Sequence, residues 1–350
     1  MYVRNCWYVA GWSHEFPEDQ LIARTIAEAP LVLYRKADGK VVAMEDRCCH
    51  RQAKLSLGLK EGDYLRCGYH GLKFAPDGAC VEIPGQDRIP PRARVRTYPV
   101  IERHSWIWVW MGDAQLADPD LVPPAVGLDD PRYVLRTGVL DFAVNYLLIN
   151  DNLGDFSHLT FVHARTFGGG NLGHLWAATH PRITRLERGI RVERWMVGNT
   201  GFSGEEKPPV DVWHAYDFLA PSVLLMRLDD YPPGTAAAAD YREPTAVEPL
   251  ARSFTSQAVT PVAANLSRYH FSFGPGAPEA FPGLADSMLA LTEAAFAEDR
   301  RMLEGQQHNW QPGARMIGIE HDRGPTMMRA VIEKLIKAEA VASGALEKTP

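Results

Sequence analysis

Two short strings carry the residues best suited to hold a metal, Cys48-Cys49-His50 and Cys67-Gly68-Tyr69-His70. They read as C-x-H, then sixteen residues, then C-x-x-H. Each string pairs one thiolate with one imidazole, the ligand set of a 2Fe–2S cluster in which two histidines replace two cysteines on one iron. Neutral imidazoles in place of thiolates raise the reduction potential, to roughly −150 to +300 mV. Such a centre accepts an electron from an ordinary ferredoxin or flavin and passes it on. Structural zinc is the competing use of Cys and His, but zinc fingers place C-x(2–4)-C before H-x(3–5)-H and so pair like with like. Here both histidines lie C-terminal to their cysteines and Gly71 follows the second, so the ligand types favour iron and sulfur over zinc. Cys6, Cys49 and Cys80 are left over and are expected to be packed spectators. An odd count of five cysteines argues against a disulfide framework.

A second constellation runs Asp151-Asn152-Leu153-Gly154-Asp155-Phe156-Ser157-His158-Leu159-Thr160-Phe161-Val162-His163. On a helix, Asp155 and His158 would share one face. His158 and His163 are five positions apart, which on a straight helix aims them about 140° apart. The helix must therefore end or bulge between them if both bind one ion, and the glycines at 168–170 fit a helix that stops here. Ordinary core or surface histidines are the alternative. Two histidines still lack the carboxylate that completes the facial triad of a non-haem ferrous oxygenase. Within 288–306, Asp299 falls at the centre of a stripe formed by Met288, Thr292, Ala295, Phe296, Met302, Leu303 and Gln306, all within about 60° of it on a helical wheel. A carboxylate there faces the core, at a cost of several kcal/mol unless it is paired or metal-bound. Glu298 sits about 100° away at the stripe's edge, where solvent is the expected surrounding. A plain surface charge within Glu298-Asp299-Arg300-Arg301 is the alternative for Asp299.

These residues must be positioned by elements of two kinds. Residues 1–113 read as short strands with turn punctuation. Leu31–Tyr34 and Val41–Met44 flank Asp38-Gly39, a hairpin signal. Phe74 to Val81 is another, turning at Pro76 and Asp77-Gly78, and Trp106 to Asp113 reads as a buried strand. A link rich in proline (Pro119, Pro123, Pro124, Pro131) leads into residues 114–350. There, strands at Ser222–Leu228 and Ser267–Phe273 mix with helical periodicity over 283–305 and 326–341. Gly168-Gly169-Gly170 and 232–249 are expected to be mobile loops. The fold class is α+β, an all-β N-terminal domain followed by a domain with an antiparallel sheet flanked by helices.

With 350 residues, 46% apolar and 23% charged, the chain has the composition of a soluble globular protein with two cores. A net charge of −6 and the lack of a Lys/Arg-rich run give no reason to expect nucleic acid. The segment from Met1 to Trp12 is too polar and aromatic for a signal peptide, and no apolar run approaches the length of a membrane span. A cytoplasmic location is expected, with no membrane partner.

The two motifs together resemble the Rieske non-haem iron oxygenases, in particular the oxygenase components of vanillate, dicamba and toluenesulfonate systems. The resemblance runs nearly end to end, from Val3-Arg4-Asn5-Cys6-Trp7-Tyr8-Val9-Ala10 to Glu298-Asp299. It implies a Rieske cluster on Cys48, His50, Cys67 and His70, and mononuclear iron on His158, His163 and Asp299. It implies that Asp155 bridges His158 to His70 of a neighbouring subunit in a homotrimer. The implied chemistry puts one atom of dioxygen into the substrate and one into water; hydroxylating an O-methyl group gives a hemiacetal that falls apart to a phenol and formaldehyde. The chain has no G-x-G-x-x-G after a strand, so a separate flavin- or ferredoxin-type reductase must deliver electrons from NAD(P)H. Dicamba-type relatives carry a tryptophan where this chain has Ala290 and a histidine where it has Gln257, which speaks against a dicamba-like pocket. Arg227, Gln257 and His270 are candidate binders of a substrate's anionic group, and a substituted aromatic acid bearing a methyl group is the expected substrate. A Rieske electron carrier without catalysis is the alternative of another class, but it would leave the 237 residues after Asp113 without a use.

Overall fold

The structure, a computed structural model, describes residues 2–169, 172–200, 208–277, 280–314 and 316–342; Gly170 of the triple-glycine run lies outside the described residues. The chain divides into two compact units, Met1–Gly127 with Thr260–Ala263, and Leu128–Val259 with Ala264–Pro350. The division thus falls later than Asp113. The proline-rich link is tied back to the first unit, where Trp7 Nε1 donates to Asp118 O (2.7 Å) and Arg103 donates to Pro119 O (3.0 Å).

The first unit holds eleven strands among its described residues: β1 (Trp7–Trp12), β2 (Ile22–Ile26), β3 (Ala29–Arg35), β4 (Val41–Glu45), β5 (Leu59–Glu61), β6 (Tyr64–Arg66), β7 (Lys73–Phe74), β8 (Cys80–Glu82), β9 (Thr97–Tyr98), β10 (Val100–Arg103) and β11 (Trp106–Trp110). They form three sheets, in the orders β1-β11-β10, β2-β3-β4-β9 and β5-β6-β7-β8. β1 and β11 are buried along their whole length, which is why Trp106-Ile107-Trp108-Val109-Trp110 shows no polar alternation. Aromatic residues of these strands pair across the ladder, Trp7 with Trp110 and Trp12 with Trp106. The expected hairpin of β3 and β4 forms with Gly39 at a positive φ of 82°, a conformation that costs glycine nothing.

The second unit contains β12 (Arg136–Phe142), α1 (Tyr146–Gly154), α2 (Leu159–Val162), α3 (Leu172–Ala178), β13 (Arg182–Leu186), β14 (Gly189–Asn199), β15 (Val210–Leu219), β16 (Val223–Tyr231), α4 (Thr235–Ala238), β17 (Ala251–Ala263, of which Thr260–Ala263 counts with the first unit), β18 (Leu266–Pro275), α5 (Leu284–Asn309) and α6 (Arg323–Ala342). Its strands form one seven-stranded antiparallel sheet in the order β12-β18-β17-β16-β15-β14-β13. α5 lies against β12 and β18, with the Phe296 ring 4.8 Å from Phe271 and 5.0 Å from Tyr269. α6 packs on α1 and β14, and its Arg329 pairs with Asp151 of α1, Nε to Oδ1 at 2.7 Å. Among the described residues no helix is long and apolar enough to cross a membrane.

Residues 232–249, read from sequence as a mobile loop, are anchored instead. The carboxylate of Asp211, buried to 1% exposure, accepts from Gly234 N (2.9 Å) and Ala236 N (3.1 Å) at the start of α4, and from Gly198 N (3.3 Å). Trp195 Nε1 donates to Arg242 O (3.0 Å). An Ala-rich run hides such anchoring because the anchor sits on a distant strand. Asp211→Ala would leave three backbone N–H groups without this acceptor, and the expected loss is about 2–3 kcal/mol of stability, read as a lower midpoint in urea unfolding.

Candidate metal centres

In the first unit, two loops of one design present the Cys/His strings. Cys48 N donates to Ala53 O (2.8 Å) and Gln52 N to Cys48 O (2.9 Å); Cys67 N donates to Leu72 O (2.8 Å) and Gly71 N to Cys67 O (3.1 Å). The fourth residue after each cysteine turns the loop at positive φ, 59° at Gln52 and 73° at Gly71. Gln52 shows that a side chain is tolerated at that φ, but at Gly71 a Cβ would also lie 2.8 Å from Pro84 Cγ, which favours glycine there. Cys48 and Cys67 are buried in one core with Tyr34, Leu65 and Phe74, while His50 and His70 are exposed with ring centroids 4.6 Å apart. Thiols face inward and imidazoles outward. Burial, with Cys67 close by, pushes the Cys48 thiol up to about 11, so ligation by a cation is what would make a thiolate here. Cys49, expected to be packed, is exposed, whereas Cys6 and Cys80 are buried as expected.

In the second unit the helix carrying the histidine string is broken. α1 ends at Gly154, and Asp155 leaves the helix with φ −136° and ψ 119°. Asp155 and His158 therefore do not share a helical face. Instead the Asp155 carboxylate accepts from Ser157 N (2.8 Å) and Ser157 Oγ (2.7 Å), the local bonding by which Asp starts a new turn. His158 precedes the short helix α2 and His163 follows it, so one turn of helix separates them and their ring centroids stand 5.3 Å apart. The end of α2 is closed by Gly168 N and Thr166 N, both donating to His163 O (2.8 and 2.9 Å).

α5 brings the carboxylate. Asp299 is buried to 5% exposure on the apolar stripe, and its Oδ1 lies 3.2 Å from His163 Nε2 and 3.5 Å from His158 Nε2. One donor atom from each of the three residues lies within 4.8 Å of the others. Ligands at right angles on bonds of about 2.1 Å stand about 3 Å apart, so the donor set fits a single cation with positions left open. His158 Nδ1 faces the Asp155 carbonyl at 2.6 Å; since that oxygen can only accept, Nδ1 carries the proton and Nε2 offers its lone pair. Burial lowers the His158 pKa despite the nearby Asp299, which keeps it neutral, as a ligand must be. At His163 burial also lowers, but Asp299 and Glu298 outweigh it and the pKa is raised.

Sequence reasoning missed two partners. Asn152 Nδ2 reaches Asp299 Oδ1 (2.9 Å) and His158 Nε2 (3.2 Å). Glu298, expected in solvent, accepts at Oε2 from His163 Nδ1 (3.0 Å) and Thr166 Oγ1 (2.7 Å). Its long side chain reaches back over the helix edge. A carboxylate adjacent to a ligand in sequence was the available signal.

The three donors open on a cavity of about 80 Å³. Its walls are mainly apolar and aromatic, among them Phe156, Trp176, Met226, Leu228, Phe273 and Phe296. Gln257 lines it; Arg227 and His270 do not. Strand alternation explains the split. Met226 and Leu228 on β16, Thr255 and Gln257 on β17 and Phe273 on β18 share one face, and the intervening residues turn to the other. There Arg227 pairs with Asp229 (3.2 Å) and Glu243 (2.6 Å), and His270 is fully buried.

Residues 6–99 match the Rieske [2Fe-2S] domain and residues 142–338 match the vanillate O-demethylase oxygenase C-terminal domain. With this fold and these donors, the chain belongs to the Rieske non-haem iron oxygenases. It is an oxidoreductase whose cofactors are a 2Fe–2S cluster and non-haem iron. It is similar to the toluene-4-sulfonate monooxygenase system iron-sulfur subunit of Comamonas testosteroni, with 38% identity over 353 residues covering 97% of this chain and 98% of that one. The vanillate O-demethylase oxygenase subunit of Pseudomonas sp. (strain HR199 / DSM 7063) is 32% identical over 358 residues, 99% of this chain and 98% of its own. The crystal structure of dicamba monooxygenase bound to dicamba superposes with a TM-score of 0.80 at 29% identity, covering 97% of this chain and 99% of that one.

Cys67→Ser should abolish the visible colour of the purified protein and lower the stability of the first unit, since metal binding and local folding are coupled. A variant with the wild-type visible spectrum would refute Cys67 as a ligand.

Proposed function

We propose that the chain is the terminal oxygenase component of a multicomponent monooxygenase that oxidises a methyl group on a substituted aromatic acid, with O-demethylation of a vanillate-like methoxy group favoured. The observation that carries this reading is the meeting of His158, His163 and Asp299 at the wall of a largely apolar cavity. Two histidines and one carboxylate leave coordination positions open for oxygen. In this reading those three residues hold mononuclear ferrous iron, and Cys48, His50, Cys67 and His70 hold the cluster. Bound ferrous iron supplies the reductive activation of dioxygen, the cosubstrate.

The chain's own residues do the rest. Phe156, Trp176 and Phe296 pack the substrate ring and keep bulk water from the methyl carbon. Burial raises the Tyr269 phenol well above its usual range, so it stays protonated and donates to Gln257 Oε1. Gln257 Nε2 then donates to Thr255 Oγ1 (3.0 Å). This fixes the amide with its nitrogen as donor, and an acidic substituent is held by neutral donors at Gln257 and Thr255 rather than by Arg227. Electrons come from a separate flavin- or ferredoxin-type reductase. We further propose a cytoplasmic homotrimer in which the Asp155 carboxylate serves as the bridge to His70 of the neighbouring subunit. Asp155 is suited to this because its carbonyl orients His158 while Ser157 holds its carboxylate.

The 38% identity to the toluene-4-sulfonate subunit supports a second reading, hydroxylation of a methyl group on an aryl sulfonate. Supplied with reductase, NADH and oxygen, the enzyme should release formaldehyde and a phenol from vanillate. A benzylic alcohol from a methylated aryl sulfonate, without formaldehyde, supports the second reading. A cis-dihydrodiol formed on the ring with the methyl-bearing group retained would contradict both.

A further inference from the structure

The two histidines of the iron site differ in what stands behind them. His158 Nδ1 meets a backbone carbonyl, Asp155 O, at 2.6 Å. His163 Nδ1 meets a carboxylate, Glu298 Oε2, at 3.0 Å. Glu298 and Asp299 are neighbours on α5, and His163 lies between them, Nε2 toward Asp299 and Nδ1 toward Glu298. The ring is thus gripped from both sides by one rigid helix. The Glu298 oxygen that faces the ring also accepts from Thr166 Oγ1 (2.7 Å), and Thr166 N donates to His163 O (2.9 Å). The side chain of Glu298 keeps 29% exposure, so the ionised form retains part of its hydration. We propose that Glu298 is a positioning residue whose charge strengthens His163 as an iron donor and makes the two histidines unequal.

The physical basis is the acceptor's charge. An ionised acceptor draws the Nδ1 proton more strongly than an amide carbonyl does. The ring then carries more negative charge, and Nε2 becomes a better donor to a cation. Such outer partners fix the ring's tautomer and orientation, and their loss typically weakens metal binding by about 10–100-fold. His158, backed by a neutral group, is the weaker donor and the one whose bond to the ion yields more readily. The inference rests on His158, His163 and Asp299 being the iron ligands.

The test is the Fe(II) affinity of the mononuclear site, measured by chelator competition on purified protein whose cluster spectrum is intact. Glu298→Ala should weaken affinity by about 10–100-fold. Glu298→Gln, which restores a neutral acceptor like the one behind His158, should fall between Ala and wild type. Thr166→Val, which removes the hydroxyl tie and leaves the carboxylate, should cost less than Glu298→Ala. If Glu298→Gln binds iron as wild type does, or if Thr166→Val loses as much as Glu298→Ala, the charge has no such role and the proposal is overturned. His163→Ala separates the two levels. If it keeps mononuclear iron, the ligand reading itself fails; if it loses iron while Glu298→Ala binds normally, only the role of Glu298 fails.

Discussion

The meeting of His158, His163 and Asp299 depends on where α1 stops. A continuous helix through 146–163 would send His158 and His163 to different sides, about 140° apart. The chain avoids this by leaving helical geometry at Asp155 and re-entering it for one short helix between the histidines. Asp155 does this with its own atoms. Its carboxylate caps Ser157, and its freed carbonyl receives His158 Nδ1. The break is held from outside as well. Tyr216 on the sheet donates to Gly154 O (3.1 Å), and Arg329 of α6 pairs with Asp151 one turn earlier. The site is therefore built on a helix end fixed from two directions.

The sheet imposes the second constraint. Alternation along β16, β17 and β18 assigns each residue to the cavity or to the opposite face, and one step separates the two fates. Met226 and Leu228 give the cavity apolar walls, while Arg227 between them is committed to Asp229 and Glu243. The polar side chains that β17 turns to the cavity are neutral, Thr255 and Gln257, with Gln257 held by Tyr269 and Thr255. Burial raises Asp229 to about 6 against the opposing pull of Arg227, so the ion pair on the far face weakens as acid is added.

Much of this was legible in the sequence, and the limits have physical causes. The Cys/His strings stand out in the sequence because ligand chemistry is strict about residue type and spacing, and the loops that bear them repeat one hydrogen-bond pattern. Asp299 was readable because a carboxylate centred on an apolar stripe needs a partner. The role of Glu298 was not, since helical periodicity records where a side chain leaves the backbone and not how far it reaches. Arg227 and His270 were misplaced because residue type suggests a binder while strand register decides which face it serves. The helix break at Asp155 was half legible: the five-residue spacing required an interruption, but its place depends on Ser157 and on partners far away in sequence. The anchoring of 232–249 by Asp211 was hidden for the same reason.

The central claim is that one chain holds iron in two chemically distinct places. Crystals of the purified holoprotein, measured at the iron absorption edge, test it most directly through an anomalous difference map. The account predicts one strong feature between Cys48, Cys67, His50 and His70, and a separate single-ion peak between His158, His163 and Asp299. A map with no peak at the second place in fully iron-loaded crystals, or with iron ligated there by other residues, would contradict it.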